Sequence, residues 1–179
     1  MHSIAPIRLG LIQRRIRSPE PIDSPPTADL FAAFRIPQAA EAWRSDGEWV
    51  TAHPGACAPD VAARFEFAAS VTPEQEAAAL EQLERLRVEL DAALGDRILL
   101  LPSAPTVAPR LDADAETLDS VRVRTLSITA VAGITGRPAV SVPVLTVDGL
   151  PVGLCLVGPR GSDLALIDLA VAVFAPWPR

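Results

Sequence analysis

The stretch from Ala139 to Val157, AVSVPVLTVDGLPVGLCLV, constrains this chain more than any other part of its sequence. Two runs rich in valine and leucine flank Asp148-Gly149. That dipeptide suits a two-residue hairpin loop, because both of its residues must adopt positive φ there. The pattern predicts strands over 139–147 and 152–157. Arg97-Ile98-Leu99-Leu100-Leu101-Pro102 reads over 98–101 as another short strand, fully buried.

The rest of the pattern is helical. LFAAFRIPQAAEAWRSDGEWVTAHPG reads as a helical stretch with Pro37 at a kink or boundary, and with Phe31, Phe34, Trp43 and Trp49 in a core. APDVAARFEFAAS reads as a short helix starting near Asp60. The clearest helix runs from Pro73 to Leu94. Thr72 and Gln75 form a Thr-x-x-Gln capping box, Pro73 takes the first helical position, and Gly95 supplies the stop. Leu80, Leu83, Leu86, Leu90 and Leu94 fall near one face of it. A further helix is expected from about Ser120 to Val131. A last one, capped by Asp163 and apolar nearly all round, is expected to be buried. Helices around strands of this kind give an α/β fold.

Residues 1–29 differ. They hold Arg8, Arg14, Arg15 and Arg17, with five prolines from Pro6 to Pro26, and read as a poorly ordered tail before a domain spanning 30–179.

Composition removes several functions. All 16 basic side chains of the 179 residues are arginine, so no lysine base, Schiff base or phosphate clamp is available in this chain. A net charge of −6 gives no general attraction to nucleic acid. No apolar run reaches the length of a membrane span. Cys57 and Cys155 lie far apart and read as reduced thiols of a cytoplasmic protein. The Gly161-Ser162 pair opens a helix and lacks the G-x-S-x-G elbow of a serine hydrolase. His53 and Cys57 share a loop with no orienting third group, and no metal-ligand spacing or phosphate-cradling glycine loop is present. No cofactor is called for.

The stretches FRIPQAAEAWRSDGEWV, PDVAARFEFA, ILLLPSAPTVAP and AVAGITGRPAVSVPVLTVDGLPVGLCLVGPRGSDLALIDLA resemble the carboxyl-terminal part of the amidase signature family. That family includes small-amide amidases and the A subunits of glutamyl-tRNA amidotransferases. The resemblance implies the carboxyl-terminal part of its α/β fold, a partial mixed β-sheet flanked by helices, and hydrolysis of a carboxamide C–N bond. Family members use a serine nucleophile, a bridging serine and a lysine base, with backbone N–H groups of a Gly/Ser-rich loop on the oxyanion. None of these can be carried onto a position here, since the chain has no lysine, no adjacent serines and no Gly/Ser-rich loop.

The expectation is therefore a chain without catalytic residues of its own, inactive alone. It would meet an amide substrate only when completed by an amino-terminal half. The alternative is a non-catalytic partner or regulatory chain that assembles with an amidase. By resemblance, Pro105, Thr106, Ile134 and Thr135 line the substrate pocket, and Arg64 faces a substrate carboxylate or forms a surface ion pair.

Overall fold

The computed structural model describes residues 20–22, 25 and 27–175. Most of the expected tail, residues 1–29, lies outside them. The chain divides into two compact units, one built from residues 25–89 and the other mainly from residues 90–175.

The first unit holds α1 (Thr27–Ala52), α2 (Pro59–Ala69) and most of α3 (Pro73–Leu94). Leu30, Ala33 and Ala40 of α1 are buried, with Ala68 of α2 and Ala79 and Leu86 of α3. Pro37 ends nothing: α1 runs through it for 26 residues. Proline removes the helical bond to the Ala33 carbonyl and crowds that carbonyl with its ring, and the turns on either side carry the helix past the gap. The expectation of a wholly buried aromatic set also needs correction. Trp49 is 53% exposed and stacks on His53, with ring centroids 4.6 Å apart.

α2 begins one residue earlier than expected. Ala58 is its N-cap residue and Pro59, whose missing N–H costs nothing in a first turn, leads it. Asp60 sits inside that turn. α3 starts as its sequence requires: Gln75 N–H donates to Thr72 Oγ1 at 3.2 Å, and Thr72 N–H donates to Gln75 Oε1 at 2.9 Å. Of its leucine stripe, Leu86, Leu90 and Leu94 are buried while Leu80 is exposed. Arg44 Nη1 ties α1 to α3, donating to both Glu76 carboxylate oxygens at 2.7 and 2.8 Å.

The second unit contains β1 (Leu99–Pro102), α4 (Ala115–Thr135), β2 (Ala139–Val147), β3 (Leu150–Val157) and α5 (Asp163–Phe174). The three strands form an antiparallel sheet in the order β1-β3-β2. The hairpin turns as Asp148-Gly149 demands, with φ of 51° and 80°, and pairs Val147 with Leu150. β3 therefore starts two residues before the expected Val152. The register of β2 shifts between Val142 and Leu145, around Pro143, which has no N–H for the ladder.

β1 is not fully buried. Leu99, Leu100 and Leu101 are half-buried and Ile98 lies outside the strand and exposed, because β1 is an edge that pairs only with β3 among the described residues. α4 outruns the expected 120–131 at both ends. Its stop signals lie beyond the apolar run: Asp114 accepts from Thr117 N–H at 2.7 Å, and Gly136 closes the helix at φ 62°.

Val142, Leu145, Val152, Leu154 and Leu156 form one face of the sheet, packed with Leu166 and Ala170 of α5. The expectation that α5 is buried all round is wrong. Leu164 is 78% exposed, and Ile167 and Val171 are about half exposed. One sheet face covers one stripe of a helix, and nothing among the described residues covers the other. Ser162 holds the N-cap position but does not cap; its Oγ donates instead to the Pro159 carbonyl at 2.7 Å.

Candidate functional site

The carboxyl end of β1 carries the polar spot of the sheet. Ser103 N–H continues the ladder beyond β1, donating to the Gly153 carbonyl at 2.8 Å. Directly opposite residues of an antiparallel pair share a face, so Leu101, Cys155 and Ser141 lie together on the side away from Val142 and Leu154. Ser103 and Gly153 follow two residues on from Leu101 and two before Cys155, on that same side. The Ser103 and Ser141 hydroxyls hydrogen-bond to each other across Gly153. A Cβ at Gly153 would stand 2.6 Å from Ser103 Oγ and 2.7 Å from Ser141 Oγ, so only glycine admits the pair. Sequence reading missed both serines. A glycine inside a β-rich run was the available signal of close approach.

Pro105 and Thr106 follow in the segment between β1 and α4, both half-buried, and the neighbouring Val107 packs on the sheet core. Ile134 and Thr135 lie elsewhere, in the last turn of α4, at 3% and 0% exposure. Thr135 Oγ1 donates to the Val131 carbonyl at 2.6 Å, and its own carbonyl accepts from Arg160 Nε at 2.6 Å. Both are packing positions of the helix end. Arg64 belongs to the other unit. It is exposed on α2, with Nη2 2.6 Å from Asp60 Oδ2 and Nε donating to the Asp60 carbonyl at 3.0 Å. Of its two expected partners, the structure supplies the surface ion pair.

Around the end of α4 stands a charged cluster that the sequence did not announce. Asp91 Oδ1 accepts from Nε and Nη2 of Arg137 at 3.2 Å, and Asp91 Oδ2 from Arg160 Nη2 at 2.6 Å. Arg137 Nη2 also donates to the Gly95 carbonyl at 2.9 Å. The cluster joins the end of α3, the α4–β2 junction and the loop before α5.

The end of the sheet around Ser103 and Ser141 offers hydroxyls. Burial pushes the Cys155 thiol up from its ordinary value, so it stays protonated and poorly nucleophilic. Cys57 and Cys155 are both free. Among the described residues no three His, Cys, Asp or Glu side chains are grouped to hold a metal ion, and no helix is long and apolar enough to cross a membrane.

Comparison with known proteins agrees with this architecture. The family model described as Amidase matches residues 54–167. Amidase 1 of Arabidopsis thaliana is 29% identical over 147 residues, which is 82% of this chain and 35% of that protein. A solved amidase structure superposes with a TM-score of 0.65 at 26% identity, covering 80% of this chain and 34% of its own. The A subunit of glutamyl-tRNA(Gln) amidotransferase from Thermotoga maritima shares the fold, with a TM-score of 0.70 at 23% identity over 95% of this chain and 37% of its own. The chain thus spans about a third of the length of these relatives. With the family match running over more than half of its residues, the chain belongs to the amidase family.

Proposed function

We propose that this chain acts as the carboxyl-terminal part of an amidase-family hydrolase and does not cleave amides by itself. One observation carries the reading. A family whose resemblance implies a lysine base is represented here by 179 residues without a lysine, spanning about a third of its relatives. In the complete enzyme the attacking serine, its base and the oxyanion donors come from the portion not spanned. This portion supplies the wall at the carboxyl end of β1. Pro105 and Thr106 remain the proposed lining residues, with the Ser103–Ser141 hydroxyl pair beside them. The substrate class is a small carboxamide, and the two free cysteines agree with a cytoplasmic setting.

The test is ammonia release from simple amides by the purified chain. None is expected above the rate of a heat-treated control. Turnover by the chain alone would overturn the reading.

A second reading, in which the chain is a non-catalytic partner of an amidase or of its amino-terminal half, is favoured by the exposed Leu164, Ile167 and Val171 of α5. Co-expression with a lysine-containing amidase portion separates the two. Stable co-purification without a gain in ammonia release favours the partner; a gain favours the completed enzyme.

A further inference from the structure

The loop between α1 and α2 borders an open pocket of about 250 Å³ within the unit of residues 25–89. Trp43, Phe65, Val50 and Ala62 give it apolar and aromatic walls, and His53 and Glu66 give it polar ones. Two features hold its rings in place. The Trp43 indole lies against Gly47, where a Cβ would come within 2.7 to 2.9 Å of the ring atoms, so the glycine keeps the indole flat on α1. The His53 ring stacks on Trp49 at 4.6 Å and 20°, and its Nδ1 lies 2.8 Å from the Trp49 carbonyl. A carbonyl only accepts, so Nδ1 carries the proton and Nε2 of the neutral ring is left as an acceptor.

The Glu66 carboxylate has no hydrogen-bond or ion-pair partner among the described residues. The arginine two residues before it, Arg64, is held by Asp60, and no arginine lines the pocket. A carboxylate without a cation, an imidazole acceptor and two aromatic side chains together favour a positively charged guest with an apolar body. Ammonium is attracted by both the carboxylate and a ring face. An anion meets only repulsion here. The volume admits a single ring with a short arm.

We propose that this pocket is a binding site for a small organic cation, a primary ammonium carried on one aromatic ring. The site does not rest on the amidase reading, and it uses neither the Ser103–Ser141 pair nor the residues around it.

The experiment is calorimetric titration of the full chain with benzylamine, and with benzyl alcohol and benzoate as its uncharged and anionic counterparts. Saturable benzylamine binding is expected, about tenfold tighter than benzyl alcohol, with benzoate weakest. Glu66→Gln is expected to remove the preference for the amine and leave the melting temperature unchanged, since Glu66 is exposed and unpaired. Glu81→Gln, on the exposed face of α3, preserves the preference. Trp43→Leu weakens both benzylamine and benzyl alcohol. Equal affinity for benzylamine and benzyl alcohol, a preference that survives Glu66→Gln, or no saturable benzylamine binding by the wild-type chain would each overturn the proposal.

Discussion

Arg137 reaches Asp91 from an almost wholly buried position. Its side chain is 6% exposed, its Nε and Nη2 lie 3.2 Å from Asp91 Oδ1, and its Nη1 is buried with no partner. A guanidinium in that position is tolerated only because a carboxylate faces it. Removing Asp91 is therefore worse than removing Arg137. Asp91→Ala is expected to cost roughly 2–4 kcal/mol by leaving a buried charge uncompensated. Arg137→Met, of similar length and without the charge, is expected to fall within about 1 kcal/mol of the parent or above it. Urea unfolding of the two variants checks the order, and equal losses would contradict it.

The Ser103–Ser141 contact leaves no room at Gly153. Gly153→Ala is expected to destabilise the second unit by about 1–3 kcal/mol through forced displacement of the hydroxyls. Combining it with Ser103→Gly and Ser141→Ala, which clears the space, should recover much of the loss. A triple variant no more stable than Gly153→Ala would mean that the close approach is not the cause.

At the hairpin, Asp148 and Gly149 both have positive φ. Gly149→Ala should lower stability by about 1 kcal/mol, and Asp148→Asn should be close to neutral, since asparagine adopts that conformation readily. Thermal melts followed by circular dichroism would show both.

Asp114 caps α4, and the Thr117 N–H it accepts from holds its carboxyl below the usual carboxylate value. A carboxylate whose folded value is depressed adds stability that is present above its unfolded value and is lost as pH falls through the folded one. Asp114→Asn keeps a capping oxygen without the charge. It should flatten the acid limb of a plot of melting temperature against pH, and leave neutral pH less affected. An unchanged acid limb would show that the cap does not titrate with folding.

Cys57 is half-exposed, whereas Cys155 is buried with its thiol pushed up. A disulfide reagent at neutral pH should modify one thiol per folded chain, at Cys57, and a second only after unfolding. Rapid modification of both in the native chain, located by mass spectrometry, would place Cys155 at the surface.

How legible the fold was depended on how local each signal is. The hairpin turn, the Thr72–Gln75 box and the 73–94 helix are written in residues within a few positions of one another, and all three stand where the sequence put them, although β3 opens two residues early. α4 was under-read because its caps, Asp114 and Gly136, lie outside its apolar run. Pro105 and Thr106 drew attention to the carboxyl end of β1 from sequence alone. The serine pair there was not readable, because Ser103 and Ser141 are 38 residues apart and meet only through strand register.

The sequence by itself determined the family, the hairpin and the absence of a lysine base, since these depend on residue identity and on short-range backbone preference. Tertiary structure alone decided which apolar surfaces are covered. Leu166 and Leu164 are the same residue type on one helix, yet one is buried against the sheet and the other is 78% exposed. It also decided which charges meet, bringing Asp91 to Arg137 and Arg160 across 46 and 69 residues. Burial and long-range pairing are set by what the chain packs against, and hydrophobic periodicity names a face without naming its neighbour.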